Sequence, residues 1–541
     1  MGFGDVGYTW PSNDKKRIDS FSESFPQRPN LQSLPEELLI MVIDQLEGDT
    51  ASLSRLSLVN KKFARLTKPT LYRSIRVGAQ VSSSGLIHLV RTLLQHSEYA
   101  ALIKDLCLTA YFADIRGPRA EGQLPRHRFG RTATDAFDRF DNRNYALLND
   151  CCRKIDSWVP DRRGADVLVA MRWKAAVLQH QSPVFASLLL AMCPSLRSLS
   201  FVISMGDGDR RRSRLALPCM FGFAAEDESA EAGFCLSDSC LPLFLGSGLQ
   251  MPEVQHLKIN ILNNIDIVRL GFGKLTTLDI GLSVGYRFAN SNLDRYGSTH
   301  IDPVQVKSMS GVRNLVFRID YEELVPFAGD QISRFVRHVD IPQLTSLTVV
   351  LESSPRKLAN FQNVQVSFDW LMSQLKDHNA RTLFENLGEF KVLIIDNTAA
   401  FDKEFLHRFQ PCTSLAWLPR LKKLTVPWQA LSHSAQLRGY LINWEEVLPM
   451  AGLPPSLEVL RILYPHAQTP LQLAGLFLSG MGQLNQLQEV EILFHKRWEV
   501  LDRPLRPYWE RVLGNLPVKV TLGSIPSAED EIKALTASSS K

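Results

Sequence analysis

The sequence predicts an α/β protein in which three short N-terminal helices precede an irregular solenoid of parallel strands. Between residues 34 and 66, apolar residues recur at the three- to four-residue spacing that is typical of amphipathic helices. Between residues 103 and 492, the pattern apolar-x-x-apolar-x-apolar recurs ten times, starting at residues 103, 196, 254, 275, 312, 344, 390, 421, 457 and 487. Helix-like segments that begin at residues 182, 368, 437 and 470 lie between its copies. Strands that alternate with helices indicate a parallel sheet.

The first helix is predicted in the stretch SLPEELLIMVIDQL, residues 33–46. Ser33 and Glu36 have the spacing of a capping box, and Pro35 suits a first helical turn because its missing N–H is not needed there. Six apolar residues in a row, Leu38 to Ile43, then cover most of the helix circumference. Such a helix is expected to be buried in a core, a membrane or a partner protein.

Two further short helices are predicted directly after it. Gly48 is expected to end the first helix, and Asp49 or Thr50 to cap the second. The apolar residues with helical spacing in this stretch are Leu53, Leu56, Val59, Phe63 and Leu66. A unit this small is marginal on its own, so we expect its apolar surface to be completed by something else.

Composition indicates an ordinary intracellular protein, cytoplasmic or nuclear. The apolar run is far shorter than the roughly 20 residues that cross a bilayer, and the first 30 residues are polar, without the apolar segment of a signal peptide. A net charge of +5 over 541 residues is too small to indicate nucleic acid as the main partner. The 8 cysteines form no C-x-x-C pairs, so we expect mostly buried thiols.

The three predicted helices together form a motif of defined order and spacing. It comprises Leu34-Pro35, Glu37-Leu38-Leu39, Ile43, Leu46, Leu53, Leu56, the run from Leu58 to Phe63 and the tail Leu71-Tyr72-Arg73-Ser74-Ile75. In these residues the segment resembles the F-box, and the tail is one often seen in fungal members. One departure is Asn60-Lys61-Lys62-Phe63, which stands where many F-boxes carry Cys-Arg-x-Trp.

The resemblance implies that the segment binds the Skp-type adaptor of a cullin-RING ubiquitin ligase. It implies adaptor contacts at Leu34, Pro35, Leu38, Leu39, Ile43, Leu46, Leu53, Leu56, Val59 and Phe63. Periodicity alone fits equally well a helical cap that packs on the rest of the protein.

The strand pattern in the rest of the chain is open to two interpretations. In a doubly wound nucleotide-binding fold, a glycine-rich loop would lead from a strand into a helix, but GFGKL at Gly271 leads into another strand pattern. The pattern resembles instead the strand code of leucine-rich repeats. The repeat is degenerate: the asparagine or cysteine usual after the strand is missing, and copies start 21 to 93 residues apart. We therefore predict an irregular leucine-rich-repeat solenoid. An F-box followed by such repeats in the same chain is a common layout among the fungal proteins that this sequence resembles.

Alternation along the strands predicts one buried and one open face. Concave solenoid faces usually bind extended protein surfaces, although a solvated face is the simpler interpretation for any one residue. The candidate target-binding residues on the open face are His256, Lys258, Asp279, Asn314, Arg318, Lys423, Arg461 and Glu489.

Domain boundaries are predicted from these patterns. We expect a disordered segment at 1–30, the F-box domain at 31–77, the repeat domain at 78–522 and a disordered tail at 523–541. Insertions rich in charge and turn formers lie near 113–145 and 205–235. The arginines at 210–214 suit a solvated loop, a nuclear localisation signal or recognition of a phosphorylated motif.

No catalytic or metal-binding motif is present in the sequence, and no cofactor is expected. The resemblances to the F-box and to leucine-rich repeats imply a non-catalytic substrate receptor, which would bind the adaptor, and through it a cullin, by the F-box, and an unknown target protein by the repeats. An adaptor-bound scaffold outside a ligase is the alternative, followed by a repeat-fold enzyme with an unrecognised site.

Overall fold

The computed structural model of the chain describes most of the predicted strands and helices. The described residues are 31–78, 84–111, 143–158, 170–171, 173–174, 177–178, 182–204, 253–259, 272–282, 309–320, 341–352, 366–367, 372, 384–395, 409–410, 412, 414–431, 452–465, 469–480, 484–495, 506–527, 530–532 and 534. The predicted segment 1–30, nearly all of the two insertions and the arginines at 210–214 lie outside these residues. The chain divides into two compact units, Met1–Tyr72 and Arg73–Lys541.

The first unit contains the three predicted helices. A short 3-10 helix at Leu31–Ser33 precedes α1 (Glu36–Gln45), α2 (Thr50–Ser57) and α3 (Lys61–Arg73), whose last residue belongs to the second unit. All three helices were predicted, and α1 ends before Gly48 as expected.

The second unit is built on one parallel sheet of 12 strands. Its strands are β1 (Ser74–Gly78), β2 (Asp105–Tyr111), β3 (Ser198–Ser204), β4 (His256–Ile259), β5 (Thr277–Leu282), β6 (Asn314–Asp320), β7 (Ser346–Glu352), β9 (Glu389–Ile395), β11 (Lys423–Pro427), β12 (Val459–Leu463), β13 (Glu489–Phe494) and β14 (Lys519–Ser524). They lie side by side in chain order, as in a solenoid. Two short strands, β8 (Val366–Ser367) and β10 (Phe409–Gln410), form a separate parallel pair.

Helices connect several of these strands. The described ones are α4 (Ser84–Gln95), α5 (Ser97–Ala100), α6 (Arg143–Trp158), α7 (Ser182–Met192), α8 (Thr469–Gly480) and α9 (Arg506–Leu513), with a 3-10 helix at Trp428–Ala430. Helices α7 and α8 confirm the helical segments predicted from residues 182 and 470. Those predicted from residues 368 and 437 lie almost wholly outside the described residues. The predicted α/β class with parallel strands is confirmed.

A repeated set of backbone hydrogen bonds precedes the strands. The carbonyl of Arg313 accepts from the N–H groups of Thr345 and Ser346 at 2.9 and 3.0 Å, and the carbonyl of Thr345 accepts from Gly388 and Glu389 in the same way. The same double acceptance recurs at the carbonyls of Lys104, Arg197, Gln255, Thr276, Gly388, Lys422 and Glu458. These backbone bonds connect the turn before one strand to the turn before the next strand of the sheet.

The turn before each strand carries its own buried residue. The N–H of Val312 bonds to the carbonyl of Met309 at 3.0 Å, and Leu344 bonds to Ile341 at 3.1 Å. All four side chains are buried at 2% exposure or less. The structural repeat is therefore longer than the predicted pattern by one apolar position, three residues upstream.

Three strands of the 12-strand sheet differ from the sequence prediction. In β9 the pattern was placed on Phe390, Leu393 and Ile395, but the core register is Leu387-Phe390-Val392. Because Leu393 and Ile395 are also apolar, the same pattern can be read three residues too late. Strands β1 and β14 were not predicted: the residues of β1 were assigned in part to the F-box tail, and β14 lacks the regular spacing.

Some residues of the predicted disordered tail have a defined position. Strand β14 continues to Ser524, and residues 530–532 are helical. The N–H of Asp530 bonds to the Ser527 hydroxyl at 3.1 Å, which caps this turn. Among the described helices, none is long and apolar enough to cross a membrane.

Two buried thiols give a test of the second unit's core. Burial raises the pKa of Cys151 and of Cys193 from 9.0 to about 12, which lowers the thiolate fraction at pH 8 roughly a thousandfold. We expect iodoacetamide to leave both unmodified in the native chain while the half-buried Cys107 and Cys412 react. Mass spectrometry of the native and urea-unfolded chain measures this. Equal labelling of Cys151 in both states would contradict the described packing.

Candidate functional site

The three-helix unit has a closed apolar core of its own. Leu39, Ile43, Leu53 and Phe63 are each 1% exposed, and Leu66 is 9% exposed. Leu34, Leu46, Leu56 and Leu71 pack around them, partly buried. Seven of the ten predicted adaptor contacts therefore belong wholly or partly to this core. Leu39, Ile43, Leu53 and Phe63 are too buried to touch a partner without rearrangement.

Side-chain caps fix the helix starts in this unit. The Asp49 carboxylate accepts from the N–H of Ser52 at 3.0 Å, as predicted for α2. Hydrogen bonds from the Ser52 side chain and, to a smaller extent, from its backbone lower the pKa of Asp49. At α3, the Asn60 side chain accepts from the N–H of Phe63 at 2.9 Å. Asn60 belongs to the stretch that departs from the usual F-box motif, and its role here is to begin α3.

The capping box predicted for α1 is wrong. Pro35 occupies the position before the helix, and no side-chain cap bond is made there. Glu36 instead forms an ion pair with Arg65 of α3. The turn between α1 and α2 depends on Gly48, whose φ of +96° is strained for any other residue.

An apolar strip remains exposed on α1. Leu38, Met41 and Val42 are 46%, 64% and 42% exposed. At about 100° per residue these three side chains span an arc of about 100°, next to the buried side that carries Leu39 and Ile43. Ile40, which is 43% exposed, lies on the other side of the buried residues. We call Leu38, Met41 and Val42 the α1 strip.

The end of α2 carries a second exposed apolar pair. Leu58 and Val59 are 83% and 54% exposed, and Pro35 is exposed as well. Of the predicted adaptor contacts, only Pro35, Leu38 and Val59 are thus fully available at the surface. The exposed residues that sequence reasoning missed are Ile40, Met41, Val42 and Leu58. The unbroken apolar run from Leu38 to Ile43 was the signal for the first three.

The second candidate surface is the polar face of the large sheet. Alternate residues of each strand point away from the main core, as predicted. Among the candidate target-binding residues, Lys423 is exposed, and four are half-buried: His256, Lys258, Arg461 and Glu489. These five share one face of strands β4, β11, β12 and β13.

Three candidate target-binding residues are buried, contrary to the expectation of an open face. Asp279 is 0%, Arg318 is 5% and Asn314 is 6% exposed. Arg318 binds Asp279 on the neighbouring strand through two nitrogens, with Nε–Oδ1 at 2.7 Å and Nη2–Oδ2 at 2.8 Å. The Asn314 amide donates to the Thr277 hydroxyl at 3.1 Å. These contacts give the three residues a structural role on β5 and β6.

Polar side chains elsewhere on this face also pair between neighbouring strands. Arg461 Nε lies 2.8 Å from Glu491 Oε2, and Lys519 Nζ lies 2.6 Å from Glu489 Oε1. The Ser198 hydroxyl and His256 Nδ1 are 3.2 Å apart. Within the described residues, no group of three His, Cys, Asp or Glu side chains is placed to hold a metal ion. Side chains of opposite charge thus pair between neighbouring strands on this face.

Comparison with known families assigns the N-terminal part of the chain. The family model of the COS11 F-box domain matches residues 31–111. This confirms the F-box resemblance, and the match extends past the three helices to the end of β2. A search of curated proteins finds no similar sequence.

The Asp49 cap gives a test of the three-helix unit. We expect Asp49→Ala to speed hydrogen exchange in residues 50–57, whereas Asp49→Asn keeps a capping oxygen and leaves exchange unchanged. The lowered pKa means that the contribution of the carboxylate is complete above the ordinary 3.8 and is lost as pH falls through the folded value. The Asp49→Asn control should show no such loss on acidification. Equal exchange in the Ala variant and the wild type would contradict the cap.

The buried ion pair gives a test of the sheet. Asp279→Ala removes the carboxylate from a buried guanidinium, and we expect a loss of about 3–5 kcal/mol in unfolding free energy. The double change Asp279→Leu with Arg318→Met should cost clearly less, because no buried charge remains. Chemical denaturation followed by tryptophan fluorescence measures both, with Lys274→Ala as the control at an exposed pair. A loss from Asp279→Ala no larger than the control's would contradict the burial.

Proposed function

We propose that this chain, which carries an F-box domain, is the substrate-recognition subunit of a Skp-cullin-F-box type ubiquitin ligase. F-box domains in general bind Skp-type adaptors, and such an adaptor would connect the chain to a cullin. In this proposal the three-helix unit binds the adaptor, and the polar face of the sheet binds a target protein.

The α1 strip is the observation that carries the adaptor part. The three-helix unit closes its core without Leu38, Met41 and Val42, yet these side chains stay about half exposed. Burying the exposed remainder of each would contribute roughly 1 kcal/mol. Leu58 and Val59 add to the apolar area, and apolar patches of this kind mark protein interaction sites.

The target part of the proposal rests on the sheet face. Five residues of this face are partly or fully accessible and offer charges of both signs: His256, Lys258, Lys423, Arg461 and Glu489. They lie on β4 and on the three neighbouring strands β11, β12 and β13. An extended sheet face of this kind suits binding of a protein surface. Most of the binding energy is expected from a few of these positions.

The chain itself supplies proximity in this proposal. Ubiquitin transfer would be carried out by the other subunits, and the chain would bring a target close to the charged conjugating enzyme. Holding two reactants together is by itself a large contribution to rate.

Adaptor binding tests the proposal directly. We expect the double change Leu38→Asp with Met41→Asp to abolish co-purification of a Skp-type adaptor, because two charges would be buried in an apolar interface. Both side chains are exposed, so the unit should stay folded, which circular dichroism can verify. Leu178→Asp is the matched control, since Leu178 is 58% exposed and lies in the second unit. Undiminished adaptor binding by the double variant would refute the proposed adaptor surface.

Ligase function is tested separately from adaptor binding. Cullin and ubiquitination activity should co-purify with the wild-type chain and not with the double variant. Adaptor binding without either would favour a scaffold outside a ligase. Proximity labelling with and without proteasome inhibition should reveal target proteins that accumulate near the chain only when degradation is blocked.

A further inference from the structure

An apolar patch interrupts the polar face of the sheet. Val316 on β6, Val350 on β7 and Ile395 on β9 point to the side opposite the main core, where they form a separate cluster with Ile532. Val316 and Val350 are 0% exposed, and Ile532 is 3% exposed. The residue that contacts this patch comes from the segment after the last strand. We call residues 525–534 the tail.

A carboxylate of the tail lies beside the patch. Glu531 Oε2 is 3.0 Å from Lys391 Nζ, and Glu531 Oε1 is 3.4 Å from Arg461 Nη1. The strand register aligns Lys391 with Thr425 and Thr425 with Arg461, so the two cations lie two strands apart on one row. One carboxylate therefore bridges two basic side chains, next to the apolar patch that receives Ile532. Val316, Val350, Ile395, Lys391 and Arg461 are named the tail site.

The tail reaches this site by crossing several strands. It leaves β14 after Ser524, and the strand order places β9 four strands away, roughly 19 Å at the usual spacing. The helical turn at 530–532, capped by Ser527, presents Glu531 and Ile532 together. Successive residues of this turn thus contact β12, β9, β7 and β6.

Both cations keep a second acidic neighbour in the sheet. Lys391 Nζ is 3.2 Å from Glu389 Oε1, and Arg461 Nε is 2.8 Å from Glu491 Oε2. Release of the tail therefore leaves the charges compensated. Release of the tail also exposes Val316 and Val350. This exposure favours replacement of the tail by another segment that carries a carboxylate and an aliphatic side chain, as Glu531 and Ile532 do.

We propose that the tail site binds a peptide segment in which a carboxylate side chain is followed by an aliphatic one, and that the tail occupies this site in the free protein. The inference rests on the proposed function, because it specifies the target class for the sheet face. The target segment displaces the tail, the carboxylate takes the bridge between Lys391 and Arg461, and the aliphatic side chain covers the valines.

A labelled peptide tests the proposal on the full chain. The probe is a fluorescein-labelled peptide with the sequence of residues 525–535, IPSAEDEIKAL, and the measurement is fluorescence anisotropy. The attached tail competes at an effective concentration in the millimolar range, so we expect weak binding to the wild-type chain. Ile532→Asp and, separately, Glu531→Arg should release the tail and lower the peptide Kd by about tenfold or more.

Controls assign the binding to the tail site. Adding Lys391→Ala to either release variant should abolish peptide binding, while adding Lys422→Ala, at an exposed pair outside the site, should leave it unchanged. A peptide with alanine at the positions of Glu531 and Ile532 should not bind. Hydrogen exchange of residues 525–534 shows whether each variant has released the tail.

Peptide binding to the wild-type chain and to the release variants decides whether the tail site binds such a segment. Equal binding to wild type and release variants, or no binding to a variant whose tail exchange is fast, would overturn the inference. Neither result touches the adaptor interface, so adaptor co-purification would still test the proposed function. Loss of that function through the α1 strip would leave the peptide result unaffected.

Discussion

The double acceptance by one carbonyl, which precedes nine of the 12 strands, from β3 to β13, is the constraint on which the large sheet depends. It fixes where a strand begins relative to its neighbour, and it sets no limit on the segment between one strand and the next. The chain between two strand starts is therefore free in length. The predicted pattern starts at Val254 and Leu275, only 21 residues apart, and at Ile103 and Leu196, 93 residues apart, yet all four belong to turns of the same sheet. The strands are thus placed regularly in the sheet although the intervals between them in the sequence vary widely.

Because side chains alternate along each strand, apolar residues lie on one face of the sheet and mostly polar residues on the other. Inward positions such as Leu315 and Phe317 form a continuous apolar core. Outward positions carry charge and hydroxyl groups at the same spacing in most of the described strands, so several of them pair with a side chain on the next strand. The bidentate pair of Arg318 and Asp279 is the most buried example. A protein that bound this face through its charged side chains would therefore compete with the pairing between strands.

The sequence was sufficient for features that depend on local pattern. Three helices and most strands follow from periodicity, and the Asp49 cap follows from residue type. The capping box failed because α1 begins at Glu36, directly after Pro35, two residues later than a box with Ser33 at the N-cap requires. The register of β9 failed because Leu393 and Ile395 are also apolar, so the pattern can be read three residues later than the core register. Burial of outward-facing side chains depends on cross-strand pairing, and no single strand reveals it.

The predicted adaptor contacts likewise fall into residues of the three-helix unit's own core and residues that are exposed. Periodicity places apolar residues on a helix, but it cannot tell which of two apolar sides faces the unit's own core. Leu39 and Ile43 proved internal, whereas Met41 and Val42, which were not singled out, are exposed.

The tail also has a consequence for how the sheet unfolds. In a solenoid each repeat usually touches only its neighbours, so stability is a sum of local terms and ends can fray separately. Ile532 packs on β6 and β7 although it follows β14, and Glu531 contacts β9 and β12. These contacts join repeats that are far apart in the series. The strands from β6 to β14 are thereby coupled, and we expect them to unfold as one cooperative block.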